Sequence, residues 1–236
     1  MEKLMYLLWK NDSDSRADFS ARLLTDAAAK LTAENTLGVQ INVADDAIVA
    51  AEHMLIENNK PRYHGVVSVW LESYLQRSAI ESILRQHCYR IAGYLVTESC
   101  PLPNTTHQAE LGERTPGFSQ VVCLTRPARL SYEEWLAIWH DSHTQIAIDT
   151  QSTFMYRQNV VVRPMTYGAA PIDAIIEECF PQAAMSSWEA FYEAEGDPAK
   201  FQQHQTAMIE SCVRFIDMDK IDAVQTSEYN FSTFRR

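Results

Sequence analysis

Apolar positions along this chain change their spacing in an order that occurs twice. "KLMYLLW" (3–9) is a short unbroken apolar run followed by polar residues, the pattern of a buried strand. Phe19, Leu23, Leu24, Ala27 and Leu31 then recur at helical spacing, behind Ser and Asp capping candidates. "LGVQINV" (37–43) is strand-like, and a polar stretch, helix or loop, follows to Pro61. "YHGVVSVWL" (63–71) is rich in Val and aromatic residues and predicts a strand. "QRSAIESILRQH" (76–87) predicts a short helix with Ile80, Ile83 and Leu84 on one side, and "RIAGYLVTES" (90–99) a closing strand. The order β-α-β-β-α-β is the ferredoxin-like pattern.

Residues 100–118 hold three prolines and two glycines with little periodicity, which predicts a linker between units at 1–99 and 119–236. The second unit repeats the first: "SQVVCLT" as strand, 131–149 as helix, "FMYRQNVVV" (154–162) and "IDAIIEE" (172–178) as strands. Helix follows at 186–194 and 198–215, interrupted at "EGDP", before a closing strand at 221–229. Ser131 with Glu134 three residues later has capping-box spacing. Phe19 and Trp135 lie 116 positions apart (135 − 19), as do Leu23 and Trp139, and "QINV" at 40–43 is similar to "RQNV" at 157–160. These matches predict an internal duplication whose two sheets face each other and bury apolar surface that neither would bury alone.

Composition narrows the functional classes. With 46% hydrophobic and 22% charged residues the chain reads as globular. A formal net charge of −11 and no Lys/Arg cluster argue against a nucleic-acid partner, which needs a basic footprint. The five cysteines are scattered and form no CxxC pair, so neither a disulfide framework nor a zinc knuckle is expected. No apolar run approaches the roughly 18 residues of a membrane span, and the first residues lack a signal-peptide pattern. The expectation is a reduced, cytoplasmic protein without membrane attachment.

Candidate chemistry concentrates in "YEEWLAIWHDSHTQIA" (132–147). At about 100° per residue from Trp135, Trp139 falls near 40°, Ile146 near 20°, His143 near 80° and His140 near 140°. That phase sets His143 on the flank of the apolar stripe and His140 at the solvent margin. Three readings of His143 stay open: a metal ligand, an acid–base group, or a core-edge histidine bonded to a carbonyl. No third or fourth ligand stands at telling spacing, so no metal is expected.

The stretch "LSYEEWLAIWHDSHTQIA" resembles the helix signature of the EthD family, named for a protein of ethyl tert-butyl ether degradation, with Trp139 and His143 on its Trp and His. "FMYRQNVV" is similar to the family's second strand, with Tyr156 and Asn159 on its Tyr and Asn. "IDAIIEECF" is similar to the third, where Asp173, Glu177 and Phe180 fit and Ala174 replaces a usual Gly. The likeness spans about residues 118–230; in the first half Leu23 and Ala27 stand where Trp and His would.

The resemblance implies an α+β fold in which the tandem ferredoxin-like repeats form a pseudo-dimeric α+β barrel within one chain. It further implies cofactor-free isomerisation, cyclisation, dehydration or decarboxylation of a small, apolar or aromatic molecule held between sheet and helices. His143, Tyr156 and Asn159 would be catalytic, and Trp139, His140, Glu177 and Phe180 would bind substrate. Alternation sets Tyr156 and Asn159 on opposite faces of a strand, which leaves their pairing to the resemblance alone. Glu177 has a blander alternative as a solvated carboxylate at a strand end. A non-catalytic ligand-binding or oligomerisation module is the alternative reading, and haem handling with His143 as axial ligand a further one. The chain is expected to be a monomer or a homodimer.

Overall fold

The structure, a computed structural model, describes residues 1–232. The first half runs β1 (Glu2–Trp9), α1 (Arg16–Arg22), α2 (Ala28–Ala33), β2 (Gly38–Val43), a two-residue β3 (Ile56–Glu57), β4 (Gly65–Leu71), α3 (Arg77–Arg85) and β5 (Arg90–Leu102). The second runs β6 (Phe118–Leu124), α4 (Tyr132–Ile138), α5 (Thr144–Thr150), β7 (Met155–Pro164), β8 (Ala174–Phe180), α6 (Trp188–Phe191), α7 (Pro198–Phe215) and β9 (Asp222–Asn230). Both are β-α-β-β-α-β units. The polar stretch before Pro61 contains a 3-10 helix, Asp46–Met54. β5 continues to Leu102, inside the segment expected as linker.

The two sheets do more than face each other. Strands pair antiparallel in the order β2-β4-β1-β5-β7-β8-β6-β9, and β9 pairs back onto β2, so eight strands close into a barrel. The halves therefore meet at two hydrogen-bonded seams, β5–β7 and β2–β9. An eight-stranded barrel is just wide enough for side chains to fill it.

Strand alternation sorts each sheet into an inner and an outer face. Met5, Leu7, Val66, Val121, Ile175 and Val224 point inward and pack together. Leu4, Tyr6, Val67 and Val69 point outward beneath the first-half helices, with Phe19, Leu23 and Leu31. In the second half Val122, Tyr156, Ile176 and Ala223 face outward beneath Trp135, Trp139 and Phe215. Strands covered on both faces read as near-continuous apolar runs, which is why "KLMYLLW" lacks an alternating pattern.

The helix that opens each half contains one π turn, Leu23–Ala27 and Trp139–His143, again 116 positions apart (139 − 23). In each, the backbone N–H after the turn reaches back five residues, Ala28 to Leu23 and Thr144 to Trp139. The extra residue per turn advances everything after it by about one helical position. This corrects the uniform wheel: Ile146, expected on the apolar stripe, is half-buried, and Ala147 is fully buried instead. The capping box at the helix start is present, with Ser131 Oγ accepting from Glu134 N at 3.2 Å and Glu134 Oε2 accepting from Ser131 N at 2.9 Å.

Candidate functional site

A cavity of about 250 Å³ lies between the outer face of the second-half sheet and helices α5 to α7. Its floor is Gln120, Val122, Tyr156, Ile176 and Glu178; its roof includes His143, Gln151, Tyr192, Met208 and Cys212. Trp188, Ile209, Val213 and Met218 line it while remaining about half exposed, and they form an apolar rim. Met54 and Ile56 reach in from the first half. Asp197 caps α7 by accepting from Ala199 N and Lys200 N. His204 Nδ1 then donates to the carbonyls of Tyr192, at 2.8 Å, and Thr150, at 3.1 Å, tying α7 to both walls.

The π turn delivers His143 to the cavity. The side chain is buried, its Nδ1 lies 2.9 Å from Ser211 Oγ, and the Phe215 ring is 4.5 Å away. Burial, assisted by Arg214, lowers its pKa to about 4. The imidazole is thus neutral at pH 7, not the partly charged shuttle that an unperturbed histidine would be. Tyr156 is buried on the floor, and its hydroxyl accepts from Trp139 Nε1 at 3.0 Å. Burial, with the nearby Glu178 charge, drives the phenol pKa far up, so it keeps its proton.

Glu178 is the group that sequence reasoning missed. It sits directly across the ladder from Tyr156 and is 5% exposed. Oε2 lies 3.5 Å from Gln120 Nε2, and Oε1 has no partner among the described residues. Burial raises its pKa to about 7, only partly offset by Gln120. Gln120 is held in turn by Gln225, whose Nε2 donates to Gln120 Oε1 at 3.1 Å. The signal was available: 156 and 178 share the outer face, while 159 and 177 must share the inner one. Cys212 also lines the roof, its thiol pushed up to about 12 by burial and by Glu178.

The structure does not bring all the expected site residues together. His143 and Tyr156 share the cavity. Trp139 is fully buried beside it and positions Tyr156 without lining the space, because the ring stacks on Phe215 and packs at a tilt against Trp135. His140 is exposed with its ring 4.7 Å from Trp139, and it does not line the cavity. Phe180 is fully buried against Phe118 and Phe191.

Asn159 and Glu177 lie inside the barrel, separated from His143 by the sheet. Lys3 Nζ there donates to Asn159 at 2.8 Å, Glu98 at 2.7 Å and Glu177 at 3.0 Å. Glu177 also accepts from Arg157 at 3.2 Å and from Gln40. It is 0% exposed, which corrects the reading of a solvated strand end.

Among the described residues, no group of three or more His, Cys, Asp and Glu side chains could hold a metal ion. A haem group does not suit this cavity either. At about 250 Å³ it is smaller than pockets for drug-sized ligands, roughly 300–1,000 Å³, and no lysine or arginine lines it to meet propionates. Among the described residues, no helix is long and apolar enough to cross a membrane.

No curated protein matches the chain. Among solved structures, an anthrone oxidase-like protein aligns over 99% of this chain and 94% of its own, at 7% identity and a TM-score of 0.61. A proposed monooxygenase from Fusobacterium nucleatum subsp. nucleatum aligns over 98% and 92%, at 8% identity and a TM-score of 0.50. Such low identity shows the shared fold alone, an α+β barrel. The sequence model of the EthD domain matches residues 127–219, which contain the π turn, Tyr156 and Glu178. The second half of this chain is thus similar to the EthD domain over residues 127–219, within a barrel that two units of one chain close between them.

Proposed function

We propose that this protein catalyses cofactor-free proton transfer on a small, apolar or aromatic carbon acid, such as an enolisable ketone or a lactone. What carries the proposal is Glu178, a buried carboxyl with a pKa raised to about 7, facing an otherwise largely apolar cavity. A general base works best with a pKa near the operating pH. Glu178 would take a proton from the carbon beside a carbonyl and return it at another position, which isomerises the substrate without a co-reactant. Tyr156, protonated and held by Trp139, would donate to the oxygen that gains charge. Neutral His143 would serve as a fixed hydrogen-bonding wall, tethered by Ser211. The name of the anthrone oxidase-like protein is compatible with this substrate class, an anthrone being an enolisable aromatic ketone. That likeness is one of fold, and the argument rests on Glu178.

The test is proton–deuterium exchange at the carbon beside the carbonyl, followed by NMR across a panel of aromatic ketones and lactones in D2O. The expected result is accelerated exchange that rises to a plateau above about pH 7. Glu178→Gln should lower it by on the order of 10²–10⁴-fold, the usual weight of a general acid–base group. A Glu178→Gln protein that exchanges as fast as the wild type would overturn the proposal.

A further inference from the structure

We infer that the molecule taken into this cavity carries a hydroxyl group on a one- or two-ring aromatic skeleton, and that Gln151 reads that hydroxyl; this rests on the cavity being the substrate site. Gln151 is the residue at which α5 ends, with extended backbone at φ −122° and ψ 154°. Its backbone N–H donates to Ala147 O at 3.1 Å, the last bond of the helix. The π turn at Trp139–His143 sets the phase that turns Ala147, Thr150 and Gln151 inward together.

The side chain lines the cavity and is 5% exposed, yet Oε1 has no hydrogen-bond partner among the described residues. Nε2 bonds to none of them either, but it is not fully sealed from solvent. A buried carbonyl oxygen left so keeps its full desolvation penalty, and native proteins rarely tolerate this without a use for the group. A hydroxyl satisfies both atoms, donating to Oε1 and accepting from Nε2. An ether or ketone oxygen only accepts. A carboxylate only accepts too, and would bring a second negative charge to the cavity that holds Glu178.

Size and lining fix the skeleton. The cavity, about 250 Å³, exceeds the roughly 150 Å³ apolar cavity that takes up benzene and falls short of the roughly 300 Å³ at the lower end of drug-sized pockets. Tyr156, Trp188, Phe191 and Tyr192 contribute aromatic surface to its walls. Glu178 Oε1 is a second buried acceptor without a partner on the same cavity. A ring bearing a hydroxyl for Gln151 and an acidic hydrogen for Glu178 meets both needs.

The experiment is calorimetric titration of wild type, Gln151→Met and Glu178→Gln with 2-naphthol, 2-methoxynaphthalene and naphthalene. Wild type should bind 2-naphthol roughly tenfold or more tightly than the methyl ether, because a site built to bond a hydroxyl rejects the analogue that lacks it. Gln151→Met should erase that preference without lowering the unliganded melting temperature, since it removes an unpartnered amide. Glu178→Gln should retain the preference. Equal binding by wild type, a preference surviving in Gln151→Met, or failure of every naphthalene to bind would each overturn the inference. Absent ketone exchange with the naphthol preference intact would overturn the catalytic proposal alone. Exchange without the preference would overturn this inference alone.

Discussion

Glu177 and Glu178 are neighbours in the chain and opposites in chemistry. Inside the barrel, burial alone would raise the Glu177 carboxyl, but Lys3 and Arg157 more than reverse this and hold it down to about 2. On the outer face no cation among the described residues compensates Glu178, and burial prevails at about 7. A carboxyl whose pKa is raised on folding contributes stability that is complete below its unfolded value, about 4.3, and lost as pH rises through its folded value. Glu178→Gln should therefore melt above wild type at pH 8, by on the order of 3 kcal/mol in stability. The gap should close as pH falls below 5, and calorimetry at the two pH values checks it. A variant less stable than wild type at pH 8 would show the ionised carboxylate to be paired. His143 and Tyr156 were legible from the resemblance, whereas Glu178 required the face of the strand to be followed through both ladder partners. Gln151 gave no sequence signal, because its importance lies in lacking a partner.

At the scale of the element, the caps, strands and helices were legible because each rests on local spacing. The phase of the histidine helix was not. A wheel assumes one uniform turn, and the π insertion at Trp139–His143 has no composition of its own: its counterpart in the first half is "LLTDA". Burial nonetheless reports it, since Ala147 is fully buried and Ile146 only half so. Ala147→Leu should then overpack the helix–sheet layer and cost about 1–3 kcal/mol. Ile146→Ala, which trims a half-buried side chain, should cost less. Urea denaturation of both variants ranks them, and the reverse order would mean that the helix runs without the insertion.

At the scale of the molecule, two sequence halves of like pattern foretold two like units, and their sheets do face each other. A barrel was implied by the family resemblance alone and not by the spacing of residues, because a strand's pairing partner leaves little trace in its own composition. Nor was the polar half of the interior. Lys3 begins an apolar run and reads as a strand end, yet it lies buried among Glu98, Asn159 and Glu177. The barrel wall thus divides two environments: a charged interior compensated by Lys3 and Arg157, and an outer cavity where Glu178 Oε1 and Gln151 Oε1 are buried without a partner among the described residues.

A carbon-13 NMR pH titration of the glutamate carboxyls, assigned with Glu177→Gln and Glu178→Gln, tests that division directly. Glu178 should titrate near pH 7 and Glu177 near pH 2, at adjacent positions of one strand. If both titrated near the ordinary carboxylate value of about 4, or if Glu178 titrated below Glu177, the outer cavity would hold no proton-transfer group and the account would fail.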